Sequence, residues 1–307
     1  MIRVLSMLLT LAALVTAGGC GQCAMGAPSS GIPVGQSDQR LQVGGAVRTY
    51  HLYRPENLGG PAPLVVMLHG GYGDGLQAER AYNWDAEADA GHFVVAYPDG
   101  VDRAWNAGTC CGIPKIRDID DVGFITSMVG AIGAQMPVDP SRTYATGMSN
   151  GAMMALRLGC QSDVFAAIAP VAGTLLTDCS HAVPTSVLQI HGTADDRVPY
   201  DGGPGRARTL VGAPNVNGPS VPSVNQTWRA IDGCGAPPPT TTGEVSTQAV
   251  DCPGGRSVEL ISVAGAGHQW PGGQPSPLAQ QLGDIPPPST ALDATGTIWS
   301  FFTAHHR

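Results

Sequence analysis

Apolar residues along this chain gather in short runs, and between them lie longer stretches in which apolar positions recur every three or four residues. The runs "TYHLYRP" (49–55), "PLVVMLHG" (63–70), "FVVAYPDG" (93–100), "TYATGMS" (143–149), "AAIAPVAG" (166–173), "SVLQIHG" (186–192) and "SVELISVAG" (257–265) read as strands. A strand buried on one face alternates, whereas one buried on both faces is apolar almost throughout, and runs such as 63–70 and 166–173 are of the second kind. Residues 75–92, 120–136, the segment after Ser149, 221–232 and 290–306 have helical composition, with Asp120 as an N-cap. Strands alternating with helices predict a single α/β domain, a mostly parallel sheet with helices on both faces. Gly/Pro-rich loops at 201–222 and 271–289 interrupt the pattern, and are expected at the carboxyl edge of the sheet, where ligands bind.

The chain has 307 residues, 43% of them hydrophobic, enough for a sizeable core. Its formal charge of −8 and the absence of a basic stripe exclude nucleic acid as an expected partner. At the N-terminus, Arg3 precedes the apolar run "VLSMLLTLAALV" (4–15), short for a membrane span but of signal-peptide length. "TAGGC" then ends at Cys20 and resembles a bacterial lipobox, with Ala17 where Leu is usual. The expectation is a lipoprotein-type signal peptide over 1–19, acylation of Cys20, a flexible tether over 20–40 and one domain over 41–307. Such a chain is exported and anchored on the outer face of the cell membrane, or secreted outright. The oligomeric state is not legible.

Export bears on the cysteines, because disulfides persist beyond an oxidising membrane. Cys234 and Cys252 flank a hairpin-like stretch and are expected to pair. Cys110 and Cys111 are adjacent and are expected to find separate partners, with Cys160 and Cys179 as candidates. No zinc-type Cys/His spacing is present, so no metal is expected.

"TGMSNGAMMALRLGC" (146–160) places Ser149 between two glycines where a strand gives way to a helix. With 42 glycines in the chain, G-x-S-x-G arises by chance on the order of 0.3 times, so alone it decides little. A nucleophilic Ser on such a corner needs an acid and then a His after later strands, and donors for an oxyanion. His268 follows the last strand in "VAGAGHQW", and Asp195 follows the penultimate one in "HGTADDRVPY", with Asp196 the alternative beside Arg197. "LHGGYGDG" supplies a glycine loop after an early strand. From it the N–H of Gly71 is assigned to the oxyanion together with that of Asn150, Tyr72 being a second choice. His69 and His191 each precede Gly at a strand end and read as structural.

With "WNAGTCCG" (105–112) and "DDVGFI" (120–125), these motifs make residues 41–307 resemble the polyhydroxybutyrate depolymerase and feruloyl esterase-like group of secreted α/β-hydrolases, lipoproteins of actinobacterial and mycobacterial type above all. The resemblance implies an α/β-hydrolase fold and a Ser-Asp-His triad at Ser149, Asp195 and His268. It also implies hydrolysis of esters, without cofactor. Many relatives carry a second Gly where Ala152 stands. Trp105 and Trp270 lie in these motifs and are expected to line the acyl or alcohol subsite with Tyr72, the alternative being core aromatics that close loops over the sheet. Asp120 and Asp121 are expected to cap or pin. Two rivals stand beside this reading, an exported serine peptidase or amidase with the same triad, and a non-catalytic binding lipoprotein.

Overall fold

The computed structural model describes residues 31–207, 215–274 and 286–307. Its strands are β1 (Gly35–Val43), β2 (Ala46–Arg54), β3 (Ala62–Leu68), β4 (Val94–Pro98), β5 (Val138–Met148), β6 (Ala167–Val171), β7 (Ser186–Gly192), β8 (Gly203–Pro204), β9 (Asn217–Gly218), β10 (Thr240–Thr242), β11 (Val245–Cys252) and β12 (Arg256–Val263). Ten of them form one sheet in the order β1-β2-β4-β3-β5-β6-β7-β12-β11-β10, and β8 and β9 pair separately. The six strands from β4 to β12 in that order run parallel. The flanking strands on both sides are antiparallel. This is an α/β-hydrolase fold.

Every residue of β3 and of β7 is buried, which explains their unbroken apolar runs. Leu64, Val66 and Leu68 face one core and Val65 and Met67 the other, as the alternation of a strand requires. After the short α3 (Gly112–Ile116), the first core is closed by α4 (Asp121–Gln135), α5 (Asn150–Gln161) and α6 (Val221–Asp232), through Phe124, Met154 and Trp228. The second is closed by α1 (Gly75–Ala81), α2 (Trp84–Gly91) and α7 (Ala294–Thr303), through Ala78, Trp84 and Phe302. A helix as short as α2 would not form alone in water, and it is held by what it buries. Each large apolar side chain so enclosed contributes about 1.5–3 kcal/mol.

Four expectations need correction. Residues 35–40 belong to β1 and not to a tether. This edge strand is half exposed and polar, so it makes no apolar run, and it returns through Gly44 and Gly45, both at positive φ, in a two-residue hairpin turn. The helix expected over 75–92 is two helices, because Asn83 takes a left-handed conformation between α1 and α2. The closing helix is shorter than 290–306, beginning at the Asp293 cap. Cys110 and Cys111 are bonded to each other. The physical reason is that Cys160, in the last turn of α5, lies 4.8 Å (Cα–Cα) from Cys179, inside bridging range, so those two pair with each other and neither is left for Cys110 or Cys111. Cys234 pairs with Cys252 as expected. Three disulfides are consistent with export to an oxidising compartment. Cys20, the segment 1–19 and most of the expected tether lie outside the described residues.

Candidate active site

β5 ends at Met148, and Ser149 turns the chain sharply into α5 with φ 57° and ψ −116°. A non-glycine residue held there stores backbone strain, which persists only where surrounding contacts fix it. The Ser149 N–H donates to the Val171 carbonyl of β6, and Met153 N–H to the Ser149 carbonyl. The two glycines have a steric cause. A Cβ on Gly147 would stand 2.6 Å from the Gly151 backbone, and one on Gly151 would overlap the carbonyls of Leu68 and His69. Close approach of this corner to the end of β3 excludes any side chain at either place.

His268 follows β12, and its imidazole lies between Ser149 and Asp195. Ser149 Oγ is 2.8 Å from His268 Nε2, and His268 Nδ1 is 2.8 Å from Asp195 Oδ2. Asp195 Oδ1 accepts the N–H groups of Arg197 and Val198, both at 2.9 Å. Burial works to raise the Asp195 carboxyl. The charge of His268 and hydrogen bonds from His191 and His268 outweigh it and hold the carboxyl well below the usual carboxylate range. The loops bearing Asp195 and His268 are tied directly, Thr193 N–H to the Val263 carbonyl and Ala194 N–H to the Ala266 carbonyl. Asp196, the alternative acid, pairs with Arg206. His191 stands at the end of β7 with Nε2 3.3 Å from Asp195 Oδ2, a contact that its position before a glycine did not suggest.

The loop after β3 passes beside the corner. Gly71 lies against Asn150, and a Cβ built on it would be 3.8 Å from the Asn150 Cβ. Its N–H has no backbone acceptor among the described residues. Asn150 opens α5, so its N–H has no carbonyl a turn behind it in the helix. Tyr72 cannot serve as the alternative donor, since its N–H already donates to the Arg103 carbonyl at 2.8 Å. The Tyr72 side chain is 83% exposed on the same loop. His69 is structural: its Nδ1 bonds the Gly70 carbonyl, its Nε2 accepts from Gly100 N–H, and burial holds its pKa low, hence neutral.

Trp105 and Trp270 are core aromatics and do not line a subsite. Trp105 is 0% exposed. Its indole N–H donates to the His69 carbonyl and its backbone is clamped by the Asn150 side chain, N–H to Oδ1 at 2.7 Å and carbonyl to Nδ2 at 3.1 Å. Trp270 is 3% exposed, packs against Tyr82 and Trp84, and donates to Thr295 Oγ1. A large ring in a motif loop serves to seat that loop on the sheet. Asp120 caps α4 through Gly123 N–H, and the buried Asp121 accepts from Arg48 and from Asn106 N–H, pinning the loop after Trp105. Among the described residues no group of three or more His, Cys, Asp or Glu could hold a metal ion. No described helix is long and apolar enough to cross a membrane.

Comparison with known proteins agrees with this architecture. The family model "Esterase PHB depolymerase" matches residues 48–218. A protein of Nocardia uniformis subsp. tsuyamanensis named as an esterase, NocK, is 34% identical over 264 residues, covering 76% of this chain and 74% of its own. Feruloyl esterase B of Piromyces equi is 34% identical over 224 residues, covering 67% of this chain but 39% of its own length. In fold, the acetyl xylan esterase of Aspergillus awamori superposes with a TM-score of 0.59 over 87% of this chain and 99% of that one, at 16% identity. The chain belongs to the Esterase PHB depolymerase family of carboxylic ester hydrolases.

Proposed function

We propose that the chain hydrolyses carboxylic esters through an acyl-enzyme on Ser149. The observation that carries this reading is the pair of 2.8 Å contacts joining Ser149 Oγ, His268 and Asp195 at the carboxyl edge of the parallel strands. Ser149 Oγ attacks the ester carbonyl while His268 Nε2 takes its proton, and the C–O bond to the alcohol breaks as His268 returns that proton to the leaving oxygen. Water then attacks the acyl-enzyme with the same imidazole as base, which releases the acid and restores the Ser149 hydroxyl. Asp195 fixes the tautomer, with the proton on Nδ1, and offsets the charge that His268 gains. The N–H groups of Gly71 and Asn150 receive the oxyanion, and loss of one such donor costs on the order of 10²–10³ in rate.

The substrates we infer are soluble esters with short hydroxyalkanoyl, feruloyl or acetyl groups, and the exposure of the Tyr72 ring supports its contact with them. The relatives' names support that range. Disulfides support export, and acylation of Cys20 would tether the enzyme to the outer face of the membrane. Ser149→Ala is expected to abolish hydrolysis of a p-nitrophenyl ester and fluorophosphonate labelling. An active Ser149→Ala enzyme would end this reading. Acylation is checked separately, by the mass of the N-terminal peptide of the mature protein.

A further inference from the structure

His191 takes no part in the mechanism above, yet its ring touches the acid of the triad. Its side chain and that of Asp195 are both fully buried, and Nε2 lies 3.3 Å from Asp195 Oδ2, the oxygen that also accepts His268 Nδ1–H. Nε2 is 2.8 Å from the Val198 carbonyl, which fixes the proton on this nitrogen. Nδ1 is buried with no hydrogen-bond partner among the described residues, so the ring's one donated hydrogen bond is made from Nε2.

The geometry around Asp195 makes this donor useful. Oδ1 is held by the N–H groups of Arg197 and Val198, a local turn that closes on itself within the loop. His191 reaches this turn from the sheet, because it belongs to β7 and is bonded to the far side of the turn at Val198 while approaching Oδ2 on the near side. One rigid ring thus ties the turn and its carboxylate to a central strand.

Resting on the reading of Ser149, His268 and Asp195 as a triad, we infer that His191 is a positioning residue, whose Nε2–H, donated to the Val198 carbonyl with the ring edge against Oδ2, seats the Asp195 turn on β7 in the orientation that presents Oδ2 to His268. Catalytic geometry of this kind is sensitive, since misplacement by 1 Å costs about 10²-fold.

The test compares His191→Leu, His191→Asn and His191→Gln in the full chain. The Gln amide N–H reaches the place of Nε2, whereas the shorter Asn does not and Leu has no donor. On a p-nitrophenyl ester, Leu and Asn are expected to lower kcat on the order of 10–100-fold with KM unchanged within about twofold. Fluorophosphonate labelling of Ser149 slows by the same factor. Gln is expected to recover most of kcat. The downfield proton resonance of the His268–Asp195 hydrogen bond weakens with Leu and Asn and persists with Gln, a signature that general loosening of the loop would not sort by donor. Wild-type rates with Leu and Asn overturn the inference. So does a folded Gln variant that is slow and lacks the resonance, whether or not the other two fold. If Ser149→Ala stays active, the triad reading itself has failed. If Ser149→Ala is dead and His191→Asn is fully active, only the role of His191 is lost.

Discussion

His268 Nδ1 and Asp195 Oδ2 stand 2.8 Å apart although 73 residues separate them in the chain. Two neighbouring parallel strands, β7 and β12, end side by side, and the loops that leave them are bonded backbone to backbone. The contact is therefore set by strand register and does not depend on a mobile loop finding its partner. Asp195→Asn keeps the shape but favours the wrong imidazole tautomer, and kcat is expected to fall about 10³–10⁴-fold with little change in KM. Steady-state kinetics on a soluble ester check this. A decrease of less than tenfold, roughly, would show that Asp195 only closes its turn.

The low carboxyl pKa of Asp195 also has a consequence for stability. Its folded-state value lies below the unfolded one, so its contribution is complete above about pH 4, the unfolded carboxylate value, and is lost as the pH falls toward the folded value.

The Ser149 corner is sterically closed at both glycines. Gly151→Ala drives a methyl group into the carbonyls of Leu68 and His69, both backbone atoms at the end of β3, which cannot step aside as a side chain tip would. The expected result is a loss of about 1–3 kcal/mol, and more if the strand end cannot shift. Chemical denaturation measures it, and unchanged stability would mean that the corner is far looser than these contacts allow.

Trp105 and Trp270 separate packing from substrate contact. Phe at either position keeps the ring but removes an indole N–H that is bonded to a buried partner, the His69 carbonyl or Thr295 Oγ1. Each change is expected to cost about 1–3 kcal/mol in stability. KM for small esters should stay where it is for Trp270→Phe, because that ring is packed among Tyr82 and Trp84. A large rise in KM with no loss of stability would return Trp270 to the subsite.

Glu79 on α1 is buried, with Oε1 unpaired among the described residues. Burial, and then the nearby Asp85 charge, push its pKa up to about 7. A carboxyl raised on folding contributes stability that is complete below its unfolded value near 4.3 and is lost as the pH climbs through 7. Glu79→Gln should therefore raise Tm at pH 8 relative to the parent and change it little at pH 4. At this chain length each kcal/mol recovered is worth about 2–4 °C. Equal Tm shifts at both pH values would contradict the ionisation argument.

Much of the site could be read before any coordinates, for a physical reason in each case. The glycines around Ser149 mark a corner with no room for Cβ, and the order Ser149, Asp195, His268 follows from loops leaving successive parallel strands at one edge. Asp120 is a local cap, and local hydrogen bonding is visible in local sequence. β1 was not legible, because an edge strand that is half exposed and largely polar makes no apolar run. Trp105 and Trp270 were misread because motif membership says that a residue matters without saying which way its ring points.

The chain by itself determined the fold class, the corner and the three residues at its rim, since strand burial, backbone sterics and chain order act through neighbours in sequence. Tertiary structure alone decided how Cys110, Cys111, Cys160 and Cys179 pair, since bridging depends on Cα separations such as the 4.8 Å between Cys160 and Cys179. It decided that Tyr72 N–H is taken by Arg103, and that His191 reaches Asp195. Contacts of that kind arise where separate loops and strand ends are brought together in space, and no spacing along the chain encodes them.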